Sequence, residues 1–295
     1  METDSPAAIL RRQFVAMALL SMRRLIAGRV FKTILGLAGV PVVISALLCG
    51  IFLFRFGLQF TDPLERSPHG LPVPQSMLSA RGMLEVYRVI YAGAFLHFGL
   101  IFSAIAFASA AVREETDEQT LHHLYLQPIP RPLIVIGKYL GFLLVACPVF
   151  MLSMVLTFSL LITPYGFDGL RQVLATTPRL YYFGMETAVI FLAMGCYAAL
   201  FLALSHFFKN NSYILFIYGW EAATNWLPPV LKNFSIAYYM KEMLPSGSKV
   251  AEDPLALIAD PLHPLQSFLV LGAIIIGGLL VASWAASRKQ VLYGA

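Results

Sequence analysis

Residues 266–286 read QSFLVLGAIIIGGLLVASWAA, an apolar run that contains no charged residue. A helix needs about 20 mostly apolar residues to cross the hydrocarbon core of a bilayer. Residues 182–204 form a second run of this kind, in which Glu186 is the single charged side chain. These two runs predict membrane-spanning helices, and they indicate an all-α integral membrane protein.

Four more segments complete the predicted bundle, at residues 33–54, 91–112, 133–162 and 212–226. The last of them is short, contains Glu221 and Asn225, and stops before two consecutive prolines. The sequence therefore predicts six transmembrane helices that form one domain from residue 33 to residue 289. Residues 55–87 are rich in Pro, Gly and Ser and predict an irregular outer loop. Residues 227–265 mix apolar and polar positions and predict short amphipathic helices at the outer surface.

Composition agrees with a chain that is surrounded by lipid. Of the 295 residues, 58% are hydrophobic and 13% are charged, and the mean hydropathy is +0.73. A soluble protein needs more charge than this to cover its surface. The formal net charge is +5, but the basic residues flank apolar runs and form no continuous patch for nucleic acid. The three cysteines all fall inside apolar runs, which argues against a disulfide framework or a metal site.

Lysine and arginine residues indicate the orientation, because cytoplasmic loops carry an excess of both. If both termini are cytoplasmic, 12 of the 21 lie inside, and six of these directly precede the first span. The sequence therefore predicts cytoplasmic N- and C-termini. Within residues 1–32, apolar residues recur at helical spacing, with Arg12 and Arg23 on a more polar side. This pattern predicts an amphipathic helix in the cytoplasmic interface, and a solvated N-terminal arm is the alternative.

The most informative polar stretch follows the second predicted span, where residues 110–140 read AAVREETDEQTLHHLYLQPIPRPLIVIGKYL. Thr116 and Gln119 have the spacing of a capping box, and Asp117 and Glu118 place negative charge at the helix N-terminus. An apolar stripe follows, and prolines then end the helix. The stripe consists of Leu121, Leu124 and Tyr125, and the prolines are Pro128, Pro130 and Pro132. The sequence thus predicts a short helix in loop 113–132 that docks onto a partner.

This loop resembles the coupling-helix signature of type 2 ABC transporter permeases. That signature consists of an acidic cluster, Gly-Thr, a Leu-rich turn, a proline, a basic residue and a lysine that opens the next helix. The matching residues are Glu114, Glu115, Thr120, Leu121, Leu124, Pro128, Arg131 and Lys138. Gln119 replaces the glycine, and His122 and His123 replace a more usual acidic or aliphatic pair. The basic N-terminus and residues 227–239 resemble further segments of this family, so the resemblance covers nearly the whole chain.

The resemblance implies a permease subunit of an ATP-driven exporter in the cell inner membrane. Two permease subunits, identical or sister chains, would form the pathway, and two ABC ATPase subunits would bind ATP and Mg. A periplasmic partner is also compatible with it. The chain itself has no GxxxxGK[ST] phosphate loop, so we expect no cofactor and no enzymatic activity in it. The residues implied to couple to the ATPase are Glu114, Glu115, Thr116, Asp117, Glu118, Gln119, Thr120, Leu121, Leu124, Pro128, Arg131 and Lys138.

Two alternatives stay open at this point. Glu114, Glu115, His122 and His123 could form the metal site of a membrane-embedded enzyme, although they crowd into one polar loop. The chain could also be an anchor that transmits mechanical force from the ATPase without transporting anything itself.

Two acids inside the apolar runs require explanation, because charge at bilayer depth is costly. Tyr218, Glu221 and Asn225 share one helical face, which predicts a polar pathway or a subunit interface. Alternatively, the helix is short and Glu221 reaches the outer interface. Glu186 lies only a few residues inside its span, and we expect its side chain to extend to the outer surface.

Overall fold

The computed structural model describes residues 6–56, 80–111, 130–176, 178–208, 212–223, 229–244 and 264–288, and the regular structure in these ranges is helical. A π-helix, Tyr91–Gly99, joins α3 to α4, and a 3₁₀ turn, Thr163–Tyr165, joins α5 to α6. The α-helices are α1 (Pro6–Ala27), α2 (Arg29–Phe56), α3 (Ala80–Ile90), α4 (Leu100–Ser109), α5 (Arg131–Ile162), α6 (Gly166–Thr176), α7 (Arg179–Phe207), α8 (Ser212–Ala222), α9 (Pro229–Lys232), α10 (Ile236–Met243) and α11 (Pro264–Arg288).

Five helical segments in the described residues are long and apolar enough to cross a membrane. They are Arg29–Phe54, Gly82–Ser109, Arg131–Tyr165, Arg179–Phe207 and Pro264–Arg288. These segments confirm a multi-pass, all-α membrane protein. They coincide with the first, second, third, fourth and sixth predicted spans. At the fifth predicted span the structure has α8, which with 11 residues is too short to cross alone. The count of six crossings stays a prediction.

The second span begins earlier than the sequence predicts. Continuous helix runs from α3 through the π-helix into α4, so the span begins at Gly82. Residues 80–87, predicted to belong to an irregular loop, are therefore helical. Glu85 and Arg88 interrupt the apolar run that defined the predicted start, but they form an ion pair one turn apart. Tyr87 between them is buried. Residues 57–79 lie outside the described residues.

Helices α4 and α5 are antiparallel neighbours, with the rings of Phe107 and Phe142 stacked at 4.3 Å. Residues 112–129 connect them, and we call the end of the bundle at which Ala111 and Arg131 lie the loop end. Helix α11 runs toward that end, because Ser287 near its C-terminal end contacts Arg131. Helix α7 runs in the same direction, because the residues it pairs with α11 advance together along both helices. Cys196 Sγ donates a hydrogen bond to Leu271 O at 3.3 Å, and further along both helices the ring of Phe207 stacks on that of Trp284.

Helix α1 packs closely against the first half of α5 through two glycines. A Cβ atom on Gly137 would lie 3.0 Å from Met17 Cβ. A Cβ atom on Gly141 would lie 2.8 Å from Ser21 Cβ and 3.0 Å from the carbonyl oxygen of Ala18. Such distances leave no room for a side chain, because backbone atoms cannot move aside cheaply. The glycines therefore fix α1 beside the loop end of α5.

We expect Gly141→Ala to lower the free energy of unfolding by about 1–3 kcal/mol, because the new methyl group collides with the backbone of α1. The thermal unfolding midpoint of the detergent-purified protein measures this change. Gly272→Ala is the matched control, since a Cβ there meets no atom within 4 Å and alanine favours helix. Equal midpoints for the wild type and Gly141→Ala would contradict the proposed close packing.

Candidate coupling site and buried carboxylates

Lys138 ties the two helices that flank the loop. Its Nζ donates a hydrogen bond to the carbonyl oxygen of Ala111 at 2.8 Å, across 27 residues of sequence. Ala111 lies two residues beyond Ser109, where the second span ends. A lysine is well suited to the C-terminal end of a helix, because the carbonyls there carry partial negative charge. The contact therefore holds the C-terminal end of the second span to α5.

Arg131 ties the same region to the last helix. Its Nη1 donates a hydrogen bond to the carbonyl oxygen of Ser287 at 3.0 Å. Ser287 lies in the final turn of α11, so this bond also serves a helix C-terminal end. Together with Lys138, Arg131 connects the base of the loop to three helices: α4, α5 and α11. Helix α1 lies beside this base through Gly137 and Gly141.

Two of the twelve residues implied to couple to an ATPase, Arg131 and Lys138, thus lie together at the loop end. The other ten fall at residues 114–128 and lie outside the described residues, as does the predicted capped helix. Glu114, Glu115, His122 and His123 of the alternative metal site lie outside them as well. Within the described part of the chain, no three His, Cys, Asp or Glu side chains are close enough to hold a metal ion.

Glu186 is buried, so the expectation that its side chain extends to the outer surface is wrong. It is 0% exposed and pairs with Arg179, which is 4% exposed. The pairing is bidentate, with Nη1 to Oε1 at 3.1 Å and Nη2 to Oε2 at 3.0 Å. Tyr87 donates its hydroxyl to Oε2 of the same carboxylate at 2.9 Å. The carboxylate therefore finds its partners within the protein and does not need the membrane surface.

Aromatic rings enclose the guanidinium of Arg179 at the end of the bundle opposite the loop end. Its Cζ lies 4.6 Å from the ring centroid of Tyr87, 4.8 Å from that of Phe158 and 5.9 Å from that of Phe183. Tyr91 adds a hydrogen bond from its hydroxyl to the backbone carbonyl of Glu186 at 2.7 Å. Cation–π contacts of this kind gain strength when water is excluded. The cluster joins α3, the π-helix, α5 and α7.

Glu221, at the end of α8, is 3% exposed and accepts hydrogen bonds from its own chain. Its Oε1 accepts from the backbone N–H of Ile236 at 3.0 Å. Its Oε2 accepts from the N–H of Ala237 at 2.9 Å, from Ser235 Oγ at 2.8 Å and from the hydroxyl of Tyr197 at 3.3 Å. The carboxylate thus binds the N-terminal end of α10 and a side chain of α7.

Tyr218 lies one turn before Glu221, with its ring centroid 5.1 Å from that of Phe102 in α4. Asn225, the third residue of the predicted polar face, lies outside the described residues. Whether this face lines a pathway or meets a second subunit stays a prediction.

Sequence patterns did not single out Arg179, Tyr197 or Ser235. A weak signal existed for the first, since Arg179 precedes Glu186 by seven residues, two helical turns on the same face. Ser235 has the residue type of a helix N-cap, and its Oγ accepts from the N–H of Tyr238 at 3.4 Å. Nothing local marks Tyr197 as a partner of an acid 24 residues away.

The described helices, long and apolar enough to cross a bilayer, define a multi-pass membrane protein. A family model described as "ABC-2 family transporter protein" matches residues 10–220. The chain belongs to this family. No curated protein matches it. Members of the family are membrane components of ABC transporters, which work with ABC ATPase subunits.

Removing one partner of the buried pair should destabilise the protein strongly. We expect Arg179→Met or Glu186→Gln to cost about 3–5 kcal/mol of unfolding free energy, because each disrupts a buried, hydrogen-bonded ion pair. The double variant Arg179→Met/Glu186→Leu should be less destabilised than the sum of the single changes. Thermal and denaturant unfolding in detergent measure these differences.

Glu85→Gln is the control for this pair. It disrupts the ion pair with Arg88, in which the Glu85 side chain is 58% exposed, and such a pair contributes about 1 kcal/mol or less. Single variants of Arg179 and Glu186 as stable as Glu85→Gln would show that the pair is not buried in the folded protein.

Proposed function

We propose that this chain is the permease subunit of an ATP-driven exporter in the inner membrane. Two such subunits, identical or sister chains, form the pathway, and two separate ATPase subunits bind ATP and Mg. The loop at 113–132 couples the two parts. Family membership supports the permease assignment. The hydrogen bonds of Lys138 and Arg131 at the base of the loop carry the coupling assignment.

Charge distribution supports an inner location for the loop end. The described side chains there include many bases and no acid: Arg12, Arg23, Arg24, Arg29, Lys32, Arg131, Lys138 and Arg288. The acids among the described side chains lie in α3, α7, α8 and α10, away from the loop end. An excess of Lys and Arg marks the cytoplasmic side of membrane proteins. Both the N-terminal helix and the end of α11 then lie on that side.

The directions of the helices support six crossings. Helices α7 and α11 run in the same direction, so the chain has to cross back between Phe207 and Pro264. In that interval the described helices are α8, α9 and α10, none of which is long enough to span a bilayer alone. We therefore propose that the fifth crossing is made in more than one piece.

The loop transmits force because its base is fixed to the bundle. Movement of an ATPase against the loop helix displaces α4 and α5 together, since Lys138 bonds them. It also displaces α11 through Arg131. A loop attached only through its two chain ends would absorb such movement by local bending.

Leu121→Asp and Leu124→Asp test the coupling assignment. We expect either change to abolish co-purification with the ATPase or stimulation of its activity, because the charge disrupts the apolar stripe that docks. Membrane insertion should be unchanged. Leu174→Asp, at the opposite end of the bundle, is the matched control. Normal co-purification with a fully stimulated ATPase in both loop variants would refute the proposal.

Lys138→Met tests the base of the loop separately. The side chain keeps its apolar stem but loses the donor to Ala111 O, so the ATPase should still bind while its stimulation falls several-fold. The ATP hydrolysis rate of the purified complex measures this loss. Lys232→Met in α9 serves as the control for removing one positive charge. A hydrolysis rate equal to that of the control would show that the Lys138 contact does not transmit force.

A further inference from the structure

Glu221 lies deep in the bundle, as its partner Tyr197 shows. Tyr197 follows Glu186 by eleven residues, which places it about 16 Å further along α7 at 1.5 Å per residue. It precedes Phe207, the last residue of α7, by ten residues, or about 15 Å. The Tyr197 hydroxyl lies 3.3 Å from Glu221 Oε2. The carboxylate therefore sits well inside the span, far from both ends of α7.

Helix α10 begins at this depth. Its first two residues, Ile236 and Ala237, donate their backbone N–H groups to Glu221. A helix that starts inside a bilayer leaves such groups without water, so the protein has to supply acceptors. The negative carboxylate also lies at the positive end of the helix dipole. One side chain of α8 thus makes it possible for α10 to start within the membrane.

Helix α10 packs against both α7 and α11. Its residues Ile236, Met240 and Met243 are buried. Helix α8, in turn, contacts α4 through the rings of Tyr218 and Phe102. Phe102 lies nine residues before Ala111, the residue that Lys138 holds at the base of the loop. A chain of contacts therefore runs from the loop through α4 and Tyr218 to Glu221 and α10.

We infer that α8 and α10 are the two halves of a discontinuous fifth span, and that Glu221 is the positioning residue that joins them into one moving unit. Movement of α4 reaches α10 through this carboxylate. Without this carboxylate, α10 loses its packing against α7 and α11, and the interior of the bundle opens to the side opposite the loop end. The transmission of movement through Glu221 rests on the proposed coupling to an ATPase. The packing of α10 against α7 and α11 does not.

The labelling rate of a cysteine at residue 237 reports whether α10 stays packed against α7 and α11. Ala237 is 4% exposed, and Cys49, Cys147 and Cys196 are buried. In Ala237→Cys, we expect little reaction with a membrane-impermeant maleimide added from the side opposite the loop end. Adding Glu221→Gln should raise the labelling rate about tenfold or more, because an amide cannot accept from all these donors and the charge-assisted bonds are lost. Ser235→Ala, which removes one donor to Glu221 together with the N-cap acceptor for Tyr238, should give a smaller increase.

Glu242→Gln in α10 is the matched control and should label like the Ala237→Cys parent. Glu221→Asp, which keeps the charge, should restore part of the protection. Protection that is the same in Glu221→Gln as in the parent would overturn the inference. If Glu221→Gln does not accumulate in membranes, Tyr197→Phe decides, because it removes a donor to Glu221 and leaves the N-cap of α10 intact: faster labelling supports the inference and unchanged labelling overturns it.

The same reporter separates this inference from the proposed function. In complex with the ATPase, trapping the nucleotide-bound state should change the labelling rate of Ala237→Cys several-fold. In Glu221→Gln the rate should be high and independent of nucleotide, while the ATPase stays bound. A nucleotide response that persists unchanged in Glu221→Gln would overturn the joining role and leave the permease assignment intact. If no ATPase binds the wild type, the permease proposal fails, and the labelling without nucleotide still tests the packing of α10.

Discussion

Backbone N–H and C=O groups inside a bilayer have no water to bond, so every helix end at that depth must find its partners in the protein. Continuous helices such as α7 and α11 meet this constraint with their own ladders. The chain departs from continuous helix where α10 begins, and there the Glu221 carboxylate accepts the N–H groups of Ile236 and Ala237. At the loop end, Lys138 donates to the carbonyl of Ala111 and Arg131 donates to that of Ser287. Several of the side chains that connect separate helices thus act at or near helix ends.

Charged side chains buried at bilayer depth carry an energetic cost that their partners have to offset. Insertion of a charged residue at the centre of a bilayer costs about 2.5–3.5 kcal/mol on insertion scales. Glu186 offsets that cost with a bidentate arginine and a tyrosine hydroxyl. Glu221 offsets it with two backbone N–H groups and two hydroxyls, and no arginine is among those partners. The first arrangement joins side chains of rigid spans, whereas the second joins a side chain to a helix end. Only the second therefore fixes where a segment of backbone starts.

The apolar runs predict α2, α5, α7 and α11 well, because a spanning helix is defined by composition alone. The start of the second span is misjudged since Glu85 and Arg88 neutralise each other locally, which a hydropathy pattern does not register. The environment of Glu186 is only partly predictable, because Arg179 lies seven residues away but Tyr87 lies 99 residues away. The role of Glu221 likewise depends on α10, 15 residues further along the chain. Sequence reasoning located the acids correctly and lacked the long-range contacts that decide what they bind.

The side-chain contacts at the two ends of the bundle hold different sets of helices. At the loop end, Lys138 and Arg131 bind α5 to α4 and α11. At the opposite end, Arg179 and Glu186 hold α3, α5 and α7 together through Tyr87 and Phe158. Helix α5 is therefore held at both ends, and we expect a displacement of the loop to move these helices as a block. Neither tie includes α8 or α10, which contact the block through packing and through Tyr197. Relative movement inside the subunit should thus concentrate at the α8–α10 unit, where a carboxylate rather than covalent helix provides the continuity.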